Sequence, residues 1–163
     1  MPNYAEKLSK YRDLDQQDRR VISDYLATIP FDIDVFQETA IKSFIKGNSV
    51  LVAAPTGSGK TLVGEFALFA TTTNKQRCFY TTPIKALSNQ KFLELVQRFG
   101  SERVGLLTGD NSINGDAEIV VMTTEVLRNM IYQNPDKLHD LGVVIIVKYS
   151  FLVKKIGVFI CNG

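Results

Sequence analysis

Ser49-Val50-Leu51-Val52-Ala53-Ala54-Pro55-Thr56-Gly57-Ser58-Gly59-Lys60-Thr61-Leu62 is the stretch that decides the fold. Its first part, Ser49 to Ala53, is apolar and β-branched, which predicts a strand. Its last part opens a helix-like run, Leu62 to Ala70. Between them lies a glycine-containing turn closed by Gly-Lys-Thr. Strand, turn, Gly-Lys-Thr and helix is the order that a phosphate-binding loop requires. Small residues let backbone N–H groups converge on phosphate oxygens. The helix adds its positive N-terminal end. Lys60 is placed to reach the outer phosphates, and the Thr61 hydroxyl to ligate Mg²⁺. Ala54 stands where the looser form of the pattern accepts Gly or Ala. The loop Ala54, Pro55, Thr56, Gly57, Ser58, Gly59, Lys60 and Thr61 is therefore the candidate nucleotide site.

Working outward, residues 4–28 are charged with spaced apolar positions: Leu8, Tyr11, Leu14, Val21, Ile22, Tyr25 and Leu26. That spacing predicts a helical lead-in packed by one face, ended by Pro30. A second helix is expected over 34–45, stopped by Gly47-Asn48. Strand-like runs then fall at 50–53, 77–81, 104–107 and 118–122, with a fifth apolar run at 143–147. Helix-like runs at 62–70, 84–99 and 125–132 separate several of them. Strands alternating with helices imply a parallel sheet covered on both faces. Residues 148–163 show no clear period. The expected division is a lead-in over 1–30, one α/β domain over 31–146, and a divergent tail over 147–163.

Composition narrows the classes. The chain has 163 residues, 45% hydrophobic and 22% charged, as expected of one globular domain with a real core. A net charge of +2 gives no bulk electrostatic case for nucleic acid, so binding would need a local track. Cys78 and Cys161 form no close-spaced pair, which argues for a reducing compartment and against zinc. His139, beside Asp140, reads as a solvated loop residue. No segment reaches the length of a membrane span. The acidic N-terminal stretch fits neither a secretory signal nor a transit peptide, so a cytoplasmic location is expected.

The loops after the later strands choose among nucleotide-binding classes, because ligands of open parallel sheets bind beyond the strands' carboxyl ends. After the second strand comes Thr81-Thr82-Pro83-Ile84-Lys85-Ala86-Leu87-Ser88-Asn89-Gln90-Lys91. After the third comes Thr108-Gly109-Asp110, and after the fourth Met122-Thr123-Thr124-Glu125-Val126-Leu127-Arg128. Each combines hydroxyls, a glycine or proline, and a nearby helix start. Such a set can hold a phosphodiester backbone without reading bases. Taken singly, each is also an ordinary cap or turn.

These runs resemble the first RecA-like domain of a superfamily 2 DExH-box helicase, of the Ski2-like RNA helicase group with its cyanobacterial and plastid relatives. The group's loop close to "TSPIKALSNQK" is matched by Thr81 to Lys91 with Thr82 for Ser, its "GLLTGD" by Gly105 to Asp110, and its "VMTTEILRNM" by Val121 to Met130 with Val126 for Ile. The resemblance covers 31–146. It implies a P-loop NTPase of RecA-like α/β fold, ATP and Mg²⁺ as cofactors, and RNA as partner, with DNA and oligomeric state left open. It implies adenine contact for Phe31 and Gln37. Read without it, Phe31 and Phe36 are core and Gln37 is a surface residue. It places Pro83, Lys85, Gly109, Thr123, Thr124 and Arg128 on the RNA track. Lys85 and Arg128 read equally well as solvated helix charges.

One element of the pattern is missing. The group's next strand ends in Asp-Glu-x-His, which positions Mg²⁺ and polarises the attacking water. This chain reads Leu141-Gly142-Val143-Val144-Ile145-Ile146-Val147-Lys148-Tyr149, with no Asp or Glu after Asp140. Lys60 and Thr61 are the catalytic-side groups that are left. Loss of one base from codons GAT GAA GTA C gives GTG AAG TAC, which encodes Val-Lys-Tyr, as at Val147 to Tyr149. The expectation is an ATP- and RNA-binding helicase portion, incomplete at its C-terminus and deficient in hydrolysis. A non-catalytic binding module or a functionless gene remnant are the alternatives.

Overall fold

The computed structural model describes residues 9–55, 57–150 and 155–162. Thr56 of the loop, Leu8 of the lead-in and residues 151–154 of the tail lie outside the described residues.

Helix α1 (Gln16–Ala27) begins at Asp15, whose carboxylate accepts the Asp18 N–H at 2.8 Å. Its buried stripe carries Val21, Ile22 and Tyr25. Helix α2 (Val35–Ile45) buries Gln37, Ala40, Ile41 and Phe44. Strand β1 (Val50–Pro55) then leads through the glycine turn into α3 (Thr61–Thr73). Leu62, Val63, Phe66, Ala67 and Leu68 are all buried, so α3 has apolar contacts around most of its girth. The chain continues as β2 (Arg77–Thr82), α4 (Lys85–Phe99), β3 (Val104–Leu107), β4 (Ser112–Ile113), β5 (Ile119–Thr123) and α5 (Thr124–Gln133). A 3₁₀ turn (Pro135–Leu138) precedes β6 (Leu141–Ser150) and β7 (Lys155–Asn162).

One sheet orders these strands β1-β7-β6-β2-β5-β3-β4. Strands β6, β2, β5 and β3 are mutually parallel. Strand β7 is antiparallel to both β1 and β6, so β1 points the same way as the parallel set. The carboxyl ends of β1, β6, β2, β5 and β3 therefore share one edge.

Side chains alternate cleanly between two cores. Cys78, Tyr80, Ile119, Val121, Val143 and Ile145 face α1, α2, α3 and α4. Phe79, Val120, Met122 and Val144 face α5 through Leu127 and Met130. The lead-in shares the first core, through Tyr11, Leu14, Val21, Ile22 and Tyr25.

The sheet departs from the expected all-parallel pattern at β4 and β7. β7 is the larger departure, because it comes from the tail that shows no period in sequence. Only residues 151–154 separate β6 from β7. A parallel return needs roughly a dozen or more residues, so this link allows only a hairpin. Among the described residues no helix is long and apolar enough to cross a membrane.

Candidate nucleotide and nucleic-acid site

The glycine turn is built as the sequence predicts. Ser58 N–H donates to the Pro55 carbonyl at 3.3 Å, closing the turn. Gly57 has φ +84° and Gly59 φ +77°, both in the left-handed region that glycine alone enters cheaply. Thr61 follows as the first residue of α3. The Lys60 side chain folds over its own loop. Its ammonium donates to the carbonyls of Ala54 and Pro55, with Ser58 Oγ at 3.4 Å. Lys60 is buried, and burial lowers its pKa. Those carbonyls hold a buried cation at the end of β1, where phosphate oxygens could take their place. Ala54, Pro55, Gly57, Ser58, Gly59, Lys60 and Thr61 thus gather at one strand-to-helix junction.

A cavity of about 750 Å³ opens beside this junction. Phe31, Gln37, Gly59 and Thr61 all line it, together with Pro30 and Glu65. Phe31 is 58% exposed. Gln37 is buried, and its amide is partly engaged. Its Oε1 accepts from Asp34 N–H at 2.8 Å, and its Nε2 donates to the Gly59 carbonyl at 2.9 Å. A primary amide has two N–H donors and two oxygen lone pairs, so one of each is left over. The same side chain ties the start of α2 to the last glycine of the phosphate loop. Sequence reading missed that second task.

Among the described residues, those around the loop do not complete a Mg²⁺ site. Thr61 is exposed at the helix start and offers one hydroxyl. Strand β6 carries Val147 and Lys148 at its carboxyl end. Through β7, Lys148 lies in the same row as Gly157 and Ala53. An ammonium in that row opposes a divalent cation rather than binding it. Among the described residues, no group of three or more His, Cys, Asp or Glu is placed to hold a metal ion.

The expected nucleic-acid residues lie at or after the carboxyl ends of three neighbouring strands, β2, β5 and β3, in the loops and helices that follow them. Pro83, Lys85, Gly109, Thr124 and Arg128 are exposed, and Thr123 is half-buried. Two contacts join their loops. Thr124 Oγ1 donates to the Thr82 carbonyl at 3.2 Å, linking the ends of β5 and β2. Lys85 makes an ion pair with Asp110, linking the loops after β2 and β3. Thr123 caps α5 by accepting the Val126 N–H at 3.4 Å. Beneath them, Thr82 Oγ1 lies 2.7 Å from Ser88 Oγ and donates to the Ile84 carbonyl, fixing the turn into α4. Sequence reading passed over Asp110 as a group with its own part. The signal was an acid placed among hydroxyl and basic loop residues.

A glycine turn closed by Gly-Lys-Thr at the edge of a mostly parallel sheet with flanking helices is the architecture of a RecA-like helicase domain. Residues 34–146 match the DEAD/DEAH box helicase family model. The chain belongs to that family, and its relatives place it on the Ski2-like DExH branch. It is 49% identical over 134 residues to the probable helicase HelY of Mycobacterium leprae, covering 82% of this chain and 15% of that protein. It is 57% identical over 113 residues to the chloroplastic DExH-box ATP-dependent RNA helicase DExH15 of Arabidopsis thaliana, covering 69% of this chain and 10% of that protein. It is 47% identical over 116 residues to the antiviral helicase SKI2 of Saccharomyces cerevisiae, covering 71% and 9%. The chain therefore spans a small part of the length of the relatives it matches.

Proposed function

We propose that this chain is the ATP- and RNA-gripping part of a Ski2-like RNA helicase, one that binds ATP and turns it over negligibly. In an intact protein of this kind, ATP hydrolysis would drive RNA unwinding or remodelling. The observation that carries the reading is the contrast between two ends of one sheet edge. At β1, Lys60 and the glycine turn have the geometry of a phosphate loop. At β6, the position for an acid pair carries Val147 and Lys148. Phosphate contact is thereby retained, while the carboxylates that position metal and attacking water are absent.

Isothermal calorimetry with a non-hydrolysable ATP analogue tests the binding half. Wild type is expected to bind, and Lys60→Ala to lose binding. An RNA-stimulated ATPase assay tests the other half, and a rate near that of intact helicases would overturn it. The encoding DNA around codon 147 bears on the origin of the tail. Restoring one base there is expected to yield Asp-Glu and a continuation like that of the relatives.

A further inference from the structure

We propose that Asp110 is an internal competitor for the RNA phosphate that Lys85 is placed to take, and so sets how tightly the track grips RNA. This inference rests on the RNA-binding reading above.

Lys85 opens α4 and Asp110 follows β3, 25 residues apart in sequence. Their strands are not neighbours: the sheet runs β2-β5-β3. The ion pair therefore bridges across the carboxyl end of β5. That end carries Thr123 and Thr124, the hydroxyls of the candidate track. The Asp110 carboxylate is also oriented by its own loop, where Thr108 Oγ1 donates to Oδ1 at 3.3 Å. Both partners reach solvent, with side chains 46% and 69% exposed. A pair so exposed is weak, so an incoming phosphate exchanges with the carboxylate at little cost. A track whose lysine is already neutralised also releases fewer counterions when RNA binds.

The test is a double-mutant cycle on the full chain, using a fluorescein-labelled single-stranded oligouridine and a salt titration. Asp110→Asn keeps the shape and the Thr108 hydrogen bond while removing the charge. It is expected to tighten binding by roughly three- to fivefold at low salt, in line with the strength of an exposed pair. The log–log salt slope should steepen by about 0.7, the single-strand value for one further phosphate contact. In a Lys85→Ala background the same change is expected to alter affinity by less than about twofold, because the lysine it frees is gone. An unchanged or weakened affinity in Asp110→Asn would overturn the proposal. So would an equal gain in the Lys85→Ala background, which would mean general charge repulsion. If wild type and Asp110→Asn both fail to bind, the RNA reading falls and this inference falls with it. Binding by wild type without the expected gain sinks the inference alone.

Discussion

Gly59 joins two constraints that act at a single atom. Its φ of +77° is open to glycine, and a Cβ placed there would stand 2.6 Å from Gln37 Nε2. An alanine would meet about 1–2 kcal/mol of left-handed strain and would displace the amide that ties α2 to the loop. Gly59→Ala is expected to lower the thermal midpoint by a few degrees and to weaken ATP-analogue binding at least tenfold. Unchanged binding beside a lowered midpoint would mean that the loop tolerates a shifted Gln37. Lys60→Ala should differ in its effect on stability. Burial disfavours its ammonium, but that ammonium also satisfies the Ala54 and Pro55 carbonyls, so its removal should change the midpoint little while binding is lost. Much of this site was legible in sequence, because the phosphate loop is a local pattern in which spacing and backbone conformation coincide. The Gln37–Gly59 contact spans 22 residues and depends on how α2 docks. The Lys85–Asp110 pair spans 25 and depends on sheet order. No period in sequence reports either distance.

At the scale of elements, apolar spacing located α2, α4 and α5 to within a residue or two at their ends, since each has one buried face. What α1 packs against is a tertiary fact. It docks on α3 through Tyr25, whose hydroxyl donates to the Leu62 carbonyl at 3.0 Å. The Tyr25 ring meets Phe66 edge-on at 5.3 Å, and Phe66 meets Phe44 at 6.2 Å. The lead-in thus braces the helix that begins with Thr61. This packing has a pH signature. Burial pushes the Tyr11 and Tyr25 phenols up from 10.0 to about 12, with help from Glu38 and Glu65 respectively. Burial also pushes the Cys78 thiol from 9.0 to about 12. Each folded pKa is raised, so each contribution is complete below the unfolded value and is lost as pH climbs to the folded one. The thermal midpoint is expected to hold level to about pH 9 and then fall continuously toward pH 12. Tyr25→Phe should make that fall shallower. A midpoint flat to pH 12 would mean that these groups are not buried in solution.

At the scale of the molecule, the tail changes what the sheet can do. Strand β7 fills the gap between β1 and β6, pairing along β1 from Val50 to Pro55 and along β6 from Val143 to Ser150. It was illegible in sequence because Lys155–Asn162 is apolar on alternating and successive positions alike, and because its place between two earlier strands is set by pairing. Filling that gap leaves β1 at the border of the sheet, with β7 as its only strand partner among the described residues. Ser49 to Ala54 carries no charge, and Leu51 is 67% exposed. A groove of about 700 Å³ runs along this border between β1 and α2, lined by Phe36, Ala40 and Leu51 among others. An uncharged edge with free backbone donors and acceptors is a template for another strand, and a lysine there blocks such pairing. The wild-type chain is expected to self-associate as its concentration rises through the micromolar range, read by light scattering after size exclusion. Leu51→Lys should stay monomeric over the same range with an unchanged far-ultraviolet spectrum, because the side chain it replaces already faces water. Self-association that persists equally in Leu51→Lys would place the contact elsewhere on the surface. A wild type that stays monomeric throughout would show that the twist of the sheet and the cover of α2 already protect β1.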